Sequence, residues 1–255
     1  MAKVRGLDNF KSFFSSFEND FVIIGGTAAS ILMEDADLTF RATKDIDLVI
    51  LSHQSKAIAT KIVEYVKLAG YEIRQASDGK PKYYRFSKPM SAEYPHMLEI
   101  FASNSGELEL QIDQNIIPVP VDDENKLSAI LLDDVYFNLV KDNSITSDDG
   151  YRIINNFGNI CMKAKAFREM TERKAKGEAV DTRDIEKHRN DVLKLSLTLR
   201  DADKMPLDGL PSADLSFAIA EIRKLTTEQV KGILKEYGNQ NLATILGRIT
   251  TVFGL

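Results

Sequence analysis

Two aspartates separated by one residue are the part of this sequence best suited to chemistry. Asp45 and Asp47 begin an otherwise apolar stretch that reads Asp-Ile-Asp-Leu-Val-Ile. In a β-strand, residues i and i+2 point to the same face, so we expect the two carboxylates side by side. Two adjacent carboxylates are costly to bury unless a cation compensates them. Because Mg²⁺ prefers hard oxygen ligands, the pair predicts a magnesium site; a solvated edge strand is the alternative.

A glycine pair stands upstream of these aspartates, at the end of the apolar run 21–24. Gly25 and Gly26 are followed by Thr27, which we predict to cap a helix over about 28–33. A helix N-terminus offers unpaired backbone N–H groups, and glycines let a phosphate approach the backbone closely. The pattern therefore predicts a phosphate-binding turn. A tight strand-to-helix turn without a ligand explains it equally well.

A third carboxylate is a common requirement of two-metal phosphoryl chemistry. Glu99 is the candidate we prefer, because it is an acidic residue inside the apolar stretch 97–101. Glu109 and Asp113 are rivals on a more polar stretch. The three alternatives stay open at this point.

One lysine is predicted to face inward from a long helix in the second half of the chain. At about 100° per residue, Lys163 falls within an apolar stripe rather than on a solvated face. That stripe consists of Phe157, Ile160, Ala164, Phe167 and Met170. An inward-facing lysine needs a carboxylate or a bound phosphate as its partner, unless its ammonium group extends to the rim of the packed face.

The same helix carries a cluster of basic residues. They are Lys165, Arg168, Arg173, Lys174 and Lys176. On a protein with a net charge of −5, such a cluster could attract a polyanion such as tRNA. A solvated helix face is the equally weighted alternative.

The combination of these patterns resembles the DNA polymerase β-like nucleotidyltransferase superfamily. The first matching stretch, over 21–50, contains the glycine pair, a short helix and the run Arg41-x-Thr43-Lys44-Asp45-Ile46-Asp47-Leu48. The second, over 157–192, contains Lys163-x-x-Ala166, Arg168 nearby and Asp181-x-x-Asp184-Ile185. The second stretch makes the chain similar to the AbiEii-type branch, the toxins of type IV toxin–antitoxin systems.

The resemblance implies an Mg²⁺-dependent enzyme that transfers a nucleoside monophosphate from an NTP to a hydroxyl. The acceptor would be RNA, such as a tRNA 3′ end, or a protein, and a cognate antitoxin is an implied partner. The implied metal ligands are Asp45, Asp47 and Glu99, and the implied nucleotide-binding residues are Gly25, Gly26, Thr27, Arg41, Thr43 and Lys163. In the second motif we prefer Asp184 to Asp181 as the catalytic aspartate. A catalytically inactive nucleotide- or RNA-binding module of the same fold is the alternative. A regulatory partner that docks through its C-terminal helices has the weakest support.

Composition indicates an ordinary soluble globular protein. The 255 residues are 44% hydrophobic and 28% charged. A single cysteine excludes an internal disulfide framework and favours a reducing compartment. No apolar stretch approaches the roughly 20 residues of a membrane span, and no signal-peptide pattern opens the sequence. We therefore expect a cytoplasmic protein with no membrane partner.

The periodicity predicts an α+β/α two-domain protein. Residues 1–145 are predicted to form a mixed sheet with helices and residues 146–255 a helical bundle. The resemblance implies that the first domain has the nucleotidyltransferase fold and that the second completes the nucleotide site. The polar run 141–150 is the predicted boundary. The N-terminal helix is predicted to bury Phe10, Phe13, Phe14 and Phe17. Strands are expected over 21–24, 45–51, 71–75, 83–87, 97–102, 108–112 and 116–121, and helices over 54–68, 127–138, 157–176, 182–200, 212–224, 226–236 and 240–252.

Overall fold

The fold is taken from a computed structural model of the chain, which describes residues 4–51, 56–75, 81–103, 116–119 and 127–255. Contacts divide it into two compact units, one of residues 1–31 and 41–154 and one of residues 32–40 and 155–255. The first unit contains a mixed sheet with helices, and the second is helical. The predicted α+β and helical fold class is confirmed. The division at residue 145 stays a prediction.

The described elements follow the chain in this order. The strands are β1 (Phe21–Ile24), β2 (Asp45–Ile50), β3 (Glu72–Gln75), β4 (Pro81–Ser87), β5 (Met97–Ala102), β6 (Ile116–Val119), β7 (Leu127–Leu131), β8 (Ser144–Thr146) and β9 (Arg152–Ile154). The helices are α1 (Leu7–Phe13), α2 (Gly25–Asp35), α3 (Lys56–Leu68), α4 (Asp134–Asp142), α5 (Asn156–Ala175), α6 (Thr182–Leu195), α7 (Gly209–Ile222), α8 (Thr227–Ile233) and α9 (Leu242–Phe253).

The strands of the first unit form one sheet in the order β3-β4-β5-β2-β1-β9-β8, and β7 pairs with both β5 and β6. At the centre, β2 lies antiparallel to β1 and parallel to β5. Ile24 pairs with Asp47 on one side of β2, and Glu99 pairs with Asp47 on the other. This register brings the end of β1 and two acidic side chains to the same place.

An aromatic cluster forms part of the core of the first unit. Phe10 and Phe14 are each 1% exposed, as predicted, whereas Phe13 and Phe17 are only half-buried. The rings of Phe10 and Phe14 lie 5.7 Å and 5.3 Å, centroid to centroid, from the ring of Tyr65, whose hydroxyl donates to Oδ1 of Asn9. Burial raises the pKa of Tyr65 above its usual range, so this hydroxyl stays a donor. The cluster fastens α1 to α3 in the unit that carries the aspartates.

The second unit is built around contacts of α5 with α6 and α7. Its buried apolar side chains include Ile160, Phe167, Leu215 and Ile249. The predicted helices over 157–176, 182–200, 212–224, 226–236 and 240–252 are confirmed, with ends that shift by a few residues. In the described part of the chain, no helix combines the length and the apolar character that crossing a membrane requires.

Two predictions of local structure are wrong or incomplete. The helix predicted over 127–138 is β7 followed by α4, because Leu127–Leu131 pairs with β6 and with the end of β5. Asp133 caps α4 by accepting from the backbone N–H of Tyr136. The polar run 141–150 contains β8, which pairs with β9 and so extends the sheet. The strand predicted over 108–112, with Glu109 and Asp113, lies outside the described residues.

Candidate functional site

The two aspartates lie on β2 as the alternation predicts. Asp45 and Asp47 are half-buried, whereas Ile46 and Leu48 on the opposite face are 0% and 1% exposed. The apolar face secures the strand in the core, and the acidic face lies at the end of β1 because Ile24 pairs with Asp47. The carboxylates thus lie on a strand whose opposite face is buried.

Gly25 brings the start of α2 against one of these carboxylates. It follows Ile24 directly and has a φ of +72°, a conformation that L side chains rarely adopt. A Cβ atom at this position would overlap Oδ2 of Asp47. Because this conformation lets the strand turn directly into the helix, α2 begins at Gly25. The prediction that Thr27 caps a helix starting at residue 28 is therefore wrong.

Gly26 lies beside the predicted phosphate-contacting residues. A Cβ atom on Gly26 would lie 2.9 Å from Oγ1 of Thr43 and 3.4 Å from Nη2 of Arg41. Both side chains are half-buried, although they lie outside any described helix or strand. The structure thus brings a guanidinium, a hydroxyl and a helix N-terminus together. An anion could accept from all three kinds of donor.

Thr27 connects α2 to β2, the strand that carries Asp45 and Asp47. Its side chain is fully buried, and its hydroxyl donates to the backbone carbonyl of Asp45 at 2.6 Å. This hydrogen bond fixes the first turn of α2 relative to the start of β2. The contact gives Thr27 a positioning role, and its predicted contact with a nucleotide stays a prediction.

Replacing Gly25 with alanine is expected to destabilise the protein and impair the site. The positive φ alone costs about 1–2 kcal/mol for a residue with a Cβ atom, and the carboxylate of Asp47 must also move. Chemical denaturation measures the loss. The matched control is Gly247→Ala, in the middle of α9, where a Cβ atom meets no described atom within 4 Å; it should stabilise by about 0.5–1 kcal/mol. Equal changes in stability from the two substitutions would contradict the claim that the positive φ and the contact with Asp47 require glycine at position 25.

Glu99 lies next to Asp47, but an arginine already contacts its carboxylate. The parallel register of β2 and β5 pairs the two residues, so their side chains share a face of the sheet. On the other side, Arg85 of β4 pairs with Glu99, and its Nε donates to Oε1 at 2.7 Å. Nη2 of Arg85 donates to the same oxygen. Arg85 was not predicted as a site residue; the lone charge within Tyr-Tyr-Arg-Phe was the available signal.

Asp45 and Asp47 fit a cation as a pair better than the three carboxylates of Asp45, Asp47 and Glu99 do together. Oδ1 of Asp45 is buried and has no hydrogen-bond partner among the described residues, so its lone pairs are available to coordinate a cation. Among the described residues, no group of three or more His, Cys, Asp or Glu side chains is arranged to hold a metal ion. Mg²⁺ is often held by one or two carboxylates together with substrate phosphates and water. Asp45 and Asp47 meet that requirement.

Lys163 faces the interior of the helical unit, as its place in the apolar stripe predicts. Its side chain is 5% exposed, and Nζ lies 3.3 Å from Oδ2 of Asp191, whose side chain is 1% exposed. The observed partner is thus a carboxylate of α6 that the sequence analysis did not name. The clue to Asp191 in the sequence was an acidic residue directly before the buried Val192 and Leu193.

The two aspartates of the second motif occupy the start of α6. Asp181 caps the helix by accepting from the backbone N–H of Arg183. Asp184 lies in the first turn and is exposed. Both positions are favoured by the helix dipole without any ligand. The catalytic role of Asp184 therefore stays a prediction.

The basic side chains of α5 have acidic or polar partners within the helical unit. Lys165 pairs with Glu169, Arg168 with Glu172 and Asp214, and Arg173 with Glu178, while Lys174 donates to the hydroxyl of Thr182. Such pairing lowers the positive potential of the surface. It favours a solvated helix face over an RNA-binding one.

Comparisons with known proteins add one structural likeness. No protein-family model and no curated protein matches the chain. The fold is similar to the solution structure of the antibiotic-resistance factor ANT(2″)-Ia, with a TM-score of 0.40 and 14% sequence identity, over 86% of this chain and 89% of that chain. The residues of the site, rather than this likeness, support the function proposed below.

Cys161 is expected to be unreactive in the folded protein. Its side chain is fully buried, and burial, together with the charge of Asp214, raises the pKa of its thiol to about 12. Since the thiolate is the nucleophile, iodoacetamide at pH 8 should leave the native protein unmodified and alkylate the unfolded protein once. Because the native state keeps its proton, stability should fall as the pH rises between 9.0 and about 12. Mass spectrometry checks the labelling, and alkylation of the native protein would contradict it.

Proposed function

We propose that this protein is an Mg²⁺-dependent nucleotidyltransferase that transfers a nucleoside monophosphate from an NTP to an acceptor hydroxyl. One observation carries the proposal. Gly25 places the N-terminus of α2 directly against the carboxylate of Asp47, so that a Cβ atom would overlap Oδ2. An anion-binding helix end next to paired carboxylates is the arrangement that a metal-bound triphosphate needs.

The donors beside α2 bind and orient the triphosphate. Backbone N–H groups at the start of the helix, its positive end, donate hydrogen bonds to the phosphate oxygens. The guanidinium of Arg41 and the hydroxyl of Thr43, both close to Gly26, supply further donors. Thr27 keeps these donors in place relative to β2 through its hydrogen bond to the carbonyl of Asp45. Preorganised donors of this kind stabilise the charge that develops during phosphoryl-type transfer.

Asp45 and Asp47 would hold the cation. When bound, Mg²⁺ supplies positive charge to the phosphate oxygens and favours ionisation of the acceptor hydroxyl. The acceptor oxygen forms a bond to the α-phosphorus, and the bond from the α-phosphorus to the β-phosphate oxygen breaks. The products are the nucleotidylated acceptor, pyrophosphate and the proton of the hydroxyl.

The proposal extends to the acceptor of the nucleoside monophosphate and to the cellular role of the protein. Following the resemblance of the two motifs to AbiEii-type toxins, we take the acceptor to be RNA, such as a tRNA 3′ end, or a protein hydroxyl. A cognate antitoxin is then the partner. Lys163 and Asp184 keep their predicted roles at the phosphates and in catalysis as parts of the same proposal, although the pairing of Lys163 with Asp191 offers a structural role instead.

A label-transfer assay tests the proposed function. Purified protein is incubated with Mg²⁺ and each α-³²P-labelled NTP, with total tRNA or with the protein itself as acceptor. The proposal expects label to be transferred from one or more NTPs, and EDTA to prevent it. No transfer to either acceptor that depends on Asp45 and Asp47 would contradict it.

The pairing of Glu99 with Arg85 favours one second candidate, a module that binds nucleotide without turnover. A carboxylate occupied by a guanidinium is less available to assist catalysis. This candidate expects NTP binding by calorimetry without incorporation of label. Binding that survives Asp47→Ala would separate it from the enzyme.

A further inference from the structure

Arg85, Glu99 and Asp47 form a row across three neighbouring strands. Glu99 of β5 pairs in register with Asp47 of β2 on one side and with Arg85 of β4 on the other. In-register neighbours share a face of the sheet, so the three side chains lie on the same side. The sequence alone cannot show this row, because the strands are distant along the chain.

The contact between Arg85 and Glu99 is partly shielded from water. The side chain of Glu99 is 12% exposed and that of Arg85 is 29% exposed. Both Nε and Nη2 of Arg85 donate to Oε1 of Glu99, with Nε at 2.7 Å. Charge-assisted hydrogen bonds of this kind are among the strongest in proteins, and a guanidinium keeps its charge at every pH at which proteins fold.

A divalent cation on Glu99 would have to share that carboxylate with the guanidinium. The two positive charges would then lie within a few ångströms of each other in a partly desolvated place, where repulsion is weakly screened. At Asp45, by contrast, the buried Oδ1 has no hydrogen-bond partner within the described part of the chain. The charges therefore favour a cation at the two aspartates over one at Glu99.

We propose that Arg85 withdraws Glu99 from the metal shell, so that the cation is held by Asp45 and Asp47 alone. The guanidinium of Arg85 then lies at Glu99, where a third free carboxylate would otherwise bind a second cation. Arg85 is a positioning residue in this scheme, since it acts through Glu99. The proposal rests on the proposed function for its metal site.

Binding of Mn²⁺, followed by the EPR signal of the free ion, tests the inference without any turnover. We expect Asp47→Asn to weaken Mn²⁺ binding by about tenfold or more, because a ligand is lost. Glu99→Gln, which keeps a hydrogen-bond acceptor for Arg85, should change the affinity by less than about twofold. Arg85→Gln should add a second bound Mn²⁺ or raise the affinity by about threefold or more, because Glu99 becomes available. The double variant Arg85→Gln/Glu99→Gln should lose that gain.

The outcomes separate this inference from the function on which it rests. If Asp47→Asn and Glu99→Gln weaken Mn²⁺ binding equally, Glu99 is a ligand and the inference is overturned, while the metal site stands. If Asp47→Asn has no effect, the metal site of the proposed function is wrong. A gain in Arg85→Gln that survives in the double variant also overturns the inference. Thermal unfolding monitors each variant, and if Arg85→Gln does not fold, Glu99→Gln alone decides between the outcomes.

Discussion

Asp47→Asn is expected to reduce nucleotidyl transfer on the order of 10³-fold, because it removes a metal ligand and leaves the phosphates less well neutralised. The substitution keeps the size of the side chain, which lies against Gly25. The initial rate of label incorporation from the preferred NTP measures the effect.

The matched control for this loss is Asp142→Asn, at the end of α4. Asp142 is exposed, so the same change of charge there should alter the rate by less than about twofold. Thermal unfolding of both variants separates lost chemistry from lost structure. Retention of the full rate by folded Asp47→Asn would show that the carboxylate does not serve the reaction.

Asp191→Ala is expected to cost roughly 3–5 kcal/mol of unfolding free energy, since it leaves the ammonium of Lys163 buried without this carboxylate. Both side chains of the pair are almost fully buried, with Nζ and Oδ2 at 3.3 Å. Denaturant unfolding followed by circular dichroism gives the change.

Two further variants show what the buried pair does. Glu221→Ala removes an exposed ion pair with Lys224 in the same unit and should cost less than about 1 kcal/mol. The double variant Lys163→Met/Asp191→Leu should regain most of the stability, because replacing a buried pair by apolar residues is often neutral. If the double variant is stable and active, Lys163 is structural. If it is stable and inactive, the predicted phosphate role of Lys163 gains support. A loss of less than about 1 kcal/mol in Asp191→Ala would contradict the claim that the buried ammonium of Lys163 depends on this carboxylate.

Local patterns predicted the strands and helices around the site well. The alternation around Asp45 and Asp47 has a period of two, and the apolar face of β2 is buried as that period requires. The helical stripe around Lys163 likewise predicted an inward-facing side chain. Both features depend on periodicity within one element, which a sequence displays directly.

Contacts between elements could not be predicted in the same way. Arg85 contacts Glu99 only because two strands pair in one register, and Asp191 contacts Lys163 only because two helices pack together. The helix start at Gly25 depends on a backbone conformation fixed by its neighbours. The apolar run 127–131 is compatible with a helix or a strand from its sequence alone, because only its pairing with other strands distinguishes the two. Tertiary pairing decided each of these cases.

The most direct test of the paired-aspartate site is the position of the metal itself. Crystals grown with Mn²⁺ and a non-hydrolysable NTP analogue give an anomalous signal that marks the ion. We predict an ion within bonding distance of carboxylate oxygens of both Asp45 and Asp47, with the triphosphate at the N-terminus of α2 beside Gly25 and Gly26. An ion bound elsewhere, or a triphosphate that does not contact this helix end, would contradict the account.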